Sequence, residues 1–264
     1  MRWIKGLIPT VIILLGALLL GCICYISIWG VPSFVVQRVE QALLEKGIPS
    51  HIETLKVTLW PRAVVTLKNV ELLDPEAMPE TRRPIVLLHE ADVALNWKKL
   101  IEGQVVPERV NVKGMDVSVP VDAGNPEKVF SVTGVNAELN LGRPGMVDIV
   151  KADAVVQGIR VTAQGAFSIG QDDSGDFTLT AQDMGAVREQ LNQVLNYMDR
   201  VKWPDASPPR LIVNLSDDPK GGVRVGMDLQ APFLRYGKIM VRDFLFSGDY
   251  ADSVIMAKHF TMRD

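Results

Sequence analysis

The hydrophobic pattern changes period several times along the chain. From Gly6 to Gln37 there is no charged residue, and the most apolar stretch runs from Leu7 to Trp29. That is about the length needed to cross a hydrocarbon core of roughly 30 Å. Phe34, Val35, Val39, Ala42 and Leu43 then recur at helical spacing, which predicts a short helix over Ser33 to Lys46 with Gly47 as its stop. An amphipathic element here docks on a bilayer, caps the next domain or packs a core, and the pattern fits each.

From Ile52 the period is two. Ile85, Leu87, Ala91, Val93, Leu95 and Trp97 share one face of a long, half-buried strand, and Val110 and Val112 continue the pattern after Pro107. The phase shifts at Gly114, before Met115, Val117 and Val119, and again at Gly134, before Val135, Ala137, Leu139 and Leu141. A glycine at a phase shift predicts a bulge. Further alternating sets are Ile159 to Ala163, Leu211 to Leu215, Val223 to Leu229, Ile239 with Val241, and the run Val254 to Met262. One helix interrupts them: Met184, Val187, Leu191, Val194, Leu195, Met198 and Val201 have helical spacing, with Asp183 placed to cap and Pro204 beyond the end. Pro204 to Pro209 reads as a linker, either a boundary between two strand-rich sections or a connection within one sheet.

These elements predict a mainly β protein with two short helices, following one N-terminal transmembrane helix. Its strands form a long, curved antiparallel sheet, a β-groove, or a sandwich. Alternation gives each sheet one apolar and one polar face in both cases, so it does not separate them. The expected organisation is an anchor over 1–30, a membrane-proximal helix over 31–47, a β-rich region over 48–182, a helix over 183–203 and further strands over 204–264, which continue in a longer protein if this chain is its N-terminal portion.

Charge gives the anchor a direction. Arg2 and Lys5 precede the apolar run, and the first charges after it are Arg38 and Glu40. The positive-inside rule keeps the N-terminus cytoplasmic and translocates the rest. Trp3, Tyr25 and Trp29 stand near the two interfaces, where aromatic rings prefer to lie. A cleaved signal has a shorter apolar core and a small-residue cleavage site, which this run lacks. Leu19-Leu20-Gly21-Cys22 resembles a lipobox, but the apolar run continues past Cys22 to Ile28. Both cysteines, Cys22 and Cys24, lie in that run, so the later chain forms no disulfide or thiolate metal site by itself.

Candidate chemistry is sparse. The net charge of -3 with scattered Lys and Arg gives no footprint for nucleic acid. His51, His89 and His259 lack partners at metal-motif spacing. His89 reads as a satisfied, partly buried histidine. Glu90 and Asp92 pair two carboxylates, but a solvated sheet face explains them more simply than acid-base work. Asp172, Asp173 and Asp176 miss the calcium-loop pattern and read as a polar turn. Asn214-Leu215-Ser216 is a glycosylation sequon inside a strand pattern, where it carries little weight. Nucleophile-elbow and phosphate-loop motifs are absent, so no enzyme, metal or cofactor is expected.

One resemblance adds to this reading. Gly47-Ile48-Pro49, a strand through Leu59, Trp60-Pro61, and Val64 to Leu73 containing Leu67-Lys68-Asn69-Val70 follow the anchor in order. Then come an apolar strand ending at Trp97, Leu100-Ile101-Glu102-Gly103, Val110-Asn111-Val112 and Val117-Ser118-Val119-Pro120. This cadence resembles the N-terminal region of the AsmA-like family, and Val155 to Phe167 resembles its later strands. The resemblance implies an inner-membrane-anchored periplasmic protein whose apolar β-groove handles phospholipid in envelope lipid transport. The candidate lining is Val93, Leu95, Trp97, Val110, Val112, Val117 and Val119. The expected partners are the membrane, phospholipid and other envelope proteins. The alternatives are a sealed sandwich core lined by the same residues, and an assembly factor for outer-membrane biogenesis that acts through protein contacts.

Overall fold

A computed structural model describes residues 31–59, 61–75, 83–122, 125, 127–168, 181–219, 222–251 and 254–263. The expected anchor, Trp60 and the Asp172 cluster lie outside these residues. No helix among the described residues is long and apolar enough to cross a membrane.

Every strand among the described residues belongs to one open sheet. In chain order they are β1 (Ser50–Thr58), β2 (Val64–Leu73), β3 (Pro84–Leu95), β4 (Pro107–Pro120), β5 (Val129–Asn140), β6 (Met146–Val156), β7 (Ile159–Ser168), β8 (Val201–Lys202), β9 (Arg210–Asp217), β10 (Val223–Tyr236), β11 (Ile239–Ala251) and β12 (Val254–Arg263). The spatial order is β1-β2-β3-β4-β5-β6-β7-β9-β10-β11-β12, with β8 pairing β10. No second sheet faces this one among the described residues, so the sandwich does not form. The sheet is mixed rather than wholly antiparallel, because β7 and β9 run parallel. The chain segment joining them carries a helix, the kind of crossover that parallel neighbours need. At that seam the backbones approach so closely that a Cβ on Gly165 would sit 2.0 Å from the Leu215 carbonyl oxygen.

Three helices are described. α1 (Ser33–Glu45) packs on β1 and stops at Gly47, whose φ of 78° is the left-handed conformation common after a helix end. α2 (Trp97–Ile101) was not expected. The Asn96 side chain accepts from the Lys99 amide and starts it, so strand β3 ends at Leu95 and Trp97 opens a helix. α3 (Ala181–Met198) is shorter at its end than the expected 183–203, and Asp183 falls inside its first turn. Val201, a β-branched residue, instead pairs with Tyr236 in β8.

The expected bulges form part of a fault line across the sheet. Asn69, Gly114 and Gly134 have φ of 49°, 67° and 63°. Asn69 and Gly114 flank His89 on its two sides in the register, between the Lys68–Glu90–Lys113 and Val70–Leu88–Met115 rungs. Across β2, β3 and β4 the phase changes at this one level and pairing stays in step while the alternation turns over, whereas β4 and β5 pair with register shifts on either side of Met115. Leu67 and Val70, Ala91 and Leu88, and Val112 and Met115 therefore share one face despite their odd spacing. His89 is exposed at the fault, not partly buried as its place in the alternation implied.

The single layer leaves little interior. Ten hydrophobic side chains are buried among the described residues, including Ile52, Val70, Ala91 and Val119. α3 crosses one end of the sheet. Arg188 binds Asp74, just after β2, through both carboxylate oxygens at 2.8 and 2.7 Å. Lys128, just before β5, donates to the side-chain oxygens of Asn192 and Asn196 at 2.7 Å each.

Candidate functional site: an uncovered apolar sheet face

Cross-strand partners share a face, so the register traces the surface directly. One line of partners reads Val57, Val65, Val93, Val110, Leu139, Ile149, Gly165, Leu215, Val225, Tyr250 and Ile255. A second reads Leu55, Leu67, Ala91, Val112, Ala137, Ala152, Ala163, Val213, Met227, Gly248 and Ala257. Each line crosses all eleven strands of the main path without a charged residue. At about 4.8 Å per strand the crossing spans roughly 48 Å. No member of the first line is buried, and in β11 and β12 it is exposed. The second line is built largely of Ala and Gly, which makes a shallow channel floor beside the bulkier first line.

A third line lies beyond the fault and reads Leu72, Val86, Val117, Val132, Val156 and Ile159. It leads to a cavity of about 420 Å³ whose lining includes Ile159, Tyr197, Met198, Trp203, Leu229, Ala231, Leu234 and Phe244. The cavity holds residues from both sides of a second phase change, at Asp243 with φ of 49°. Leu229 and Ala231 precede it on β10, and Leu234 follows. The apolar face therefore remains one face there too. The end of α3 and strand β8 flank this part of the sheet.

The opposite face is charged. Lys68 and Lys113 flank Glu90 across β2, β3 and β4 at 2.8 and 2.5 Å, and Lys113 also reaches Asp92 at 3.3 Å. Hydrogen bonds from Lys113 first and Lys68 second lower the Glu90 carboxyl to about 2. The Lys113 ammonium is raised by its bonds to Glu90 and Asp92. Glu90 and Asp92 are thus held in an ion-pair ladder. No group of His, Cys, Asp and Glu among the described residues is arranged to hold a metal.

The sequence-derived candidates divide. Val93 and Val110 are neighbours in the first apolar line, Val112 belongs to the second and Val117 to the third. Val119, on the same face of β4 as Val117, pairs with Phe130 and is buried. Leu95 and Trp97 are elsewhere. They line a mixed cleft of about 730 Å³ at the far end of the strands, with Arg62, Lys98, Glu108, Arg109 and Asn140. Sequence reasoning missed the alanines at 91, 137, 152 and 163 as a line, because only the register reveals that they are neighbours.

Fold and surface define a class: a mainly β protein built on one sheet, with an apolar face that no second sheet covers among the described residues and that α3 overlies only at one end. No family model, curated protein or solved structure matches the chain.

Proposed function

We propose that this chain is an inner-membrane-anchored periplasmic protein of the AsmA-like type that binds phospholipid along its apolar sheet face and guides it in envelope lipid transport. The observation that carries this reading is the pair of uncharged lines crossing eleven strands. A soluble protein exposes a contiguous apolar surface of this length at a cost, and such surfaces mark binding sites. Acyl chains are the complementary ligand. Each CH₂ removed from water contributes about 0.8 kcal/mol, so a chain laid along the lines is held without any specific polar contact. The sheet then substitutes for the bilayer interior while headgroups stay in solvent. The reading assigns the protein no catalytic step, and it takes the anchor and its direction from the N-terminal sequence.

The test is mass spectrometry of the full chain purified in mild detergent. Phospholipid bound in at least equimolar amount is expected. A lipid-free protein with its apolar face closed by oligomerisation contradicts the reading.

A second reading, an assembly factor that acts through protein contacts, draws on β12. This edge strand exposes Val254, Ile255 and Met256 in succession, so it is apolar on both faces. An open edge of this kind accepts an added strand. A protein cross-linked through β12 in cells, with no lipid bound to the sheet, favours that reading over lipid transport.

A further inference from the structure

The tip of the β10–β11 hairpin joins two properties. The first is unneutralised positive charge. Lys202 lies directly opposite Arg235, and on the same face Arg160 lies directly opposite Arg210. Like charges so placed destabilise a sheet. Lys202, Arg235 and the turn residue Lys238 are exposed, and no carboxylate among the described residues forms an ion pair with them, although Asp199 and Asp205 lie nearby in sequence. The second property is exposed apolar surface at the same place. Tyr236, Ile239 and Met240, which flank the turn, are 50%, 63% and 57% exposed. Met240 shares its face with Lys202 and Arg235, and Ile239 shares the other face with Tyr236 and Val201.

We infer that this hairpin tip docks on an anionic lipid surface. Cations flanking aromatic and aliphatic side chains suit a headgroup layer: apolar groups enter the acyl boundary and cations meet phosphates. A bound phosphate layer also removes the repulsion between Lys202 and Arg235. In strand order the tip is eight strand spacings from β1, or about 38 Å, so it can meet a surface well away from the one beside α1. The inference does not rest on the groove reading, because docking needs no lipid to leave its bilayer.

The test uses the full chain held in phosphatidylcholine nanodiscs and offered separate vesicles. Capture of vesicles containing phosphatidylglycerol is expected, with pure phosphatidylcholine vesicles captured poorly and binding weakened by salt. Arg235→Glu places an acid opposite Lys202, so its thermal midpoint holds or rises while capture falls about tenfold. Lys238→Glu, in the turn and outside the ladder, gives a similar loss, and Ile239→Ser weakens capture without changing its salt dependence. Equal capture of both vesicle types, or undiminished capture by folded Arg235→Glu and Lys238→Glu, overturns the inference. So does an absence of vesicle capture, including the case where the tip binds only acidic protein.

Discussion

Gly114 lies against the ring of His89: a methyl group on Gly114 would sit 2.9 Å from His89 Cδ2. The contact marks where the fault crosses from β3 to β4. Gly114 also holds φ at 67°, which an L side chain adopts with strain. Its amide donates to the Asn136 side-chain oxygen at 3.1 Å, tying the bulge to β5. Gly114→Ala is expected to lower stability by about 1–3 kcal/mol in denaturant titration. His89→Ala in the same chain removes the clash but not the backbone strain, so the double variant recovers part of the loss.

Acid weakens the charged face in a defined window. Glu90 has its folded pKa lowered to about 2 from an ordinary 4.5. Its contribution is present above the ordinary value and is lost as pH falls from there toward 2. Lys113 has the opposite sense, contributing below its ordinary value of 10.5 and losing that contribution as pH rises through its raised folded value. The thermal midpoint of the parent therefore falls across the acid window. Glu90→Gln flattens that part of the curve, and a parallel fall in the variant assigns the acid sensitivity to other carboxylates.

The Arg188–Asp74 pair fastens α3 to the β2–β3 end of the sheet, with side chains only 20% and 13% exposed. Asp74→Asn weakens a charged contact that one guanidinium nitrogen makes to both carboxylate oxygens, and is expected to cost about 2 kcal/mol. Hydrogen exchange localises the effect. Amides in α3 lose protection while those of β3 and β4 keep theirs.

The channel floor admits a steric test. Ala137 and Ala152 are adjacent partners in the second apolar line. Ala152→Trp fills the channel above its neighbours, and reduced phospholipid recovery at an unchanged thermal midpoint is the expected outcome. Asp153→Asn, one residue on and facing the charged side, leaves recovery unchanged.

Much of the sheet is legible in the sequence because alternation reports burial one strand at a time. Val93, Val110, Val112 and Val117 fall on one face, and the phase shifts at Gly114 and Gly134 are visible as glycines between mismatched alternating sets. Asn69, His89 and Asp243 accompany similar shifts without a glycine to announce them, so the faults as continuous features are hidden. Trp97 keeps the strand's parity in the sequence yet opens a helix. The Asn96 cap that turns the chain into α2 competes with that parity and wins. An open sheet and a sandwich were equally compatible with the pattern, since each gives half-buried alternating strands. Only the pairing of β7 with β9, set by the α3 crossover, joins the early strands to the late ones.

The central claim is that lipid lies on the apolar lines and not elsewhere on the sheet. Photo-crosslinking in the full chain in its membrane tests it most directly. A photoreactive residue is placed at 110, 137 or 213 on the apolar lines, and at 111, 136 or 228 on the charged face. Lipid adducts at all three apolar positions and at none of the charged ones are the predicted result. Adducts equally frequent on both faces, or absent from the apolar face, contradict the account.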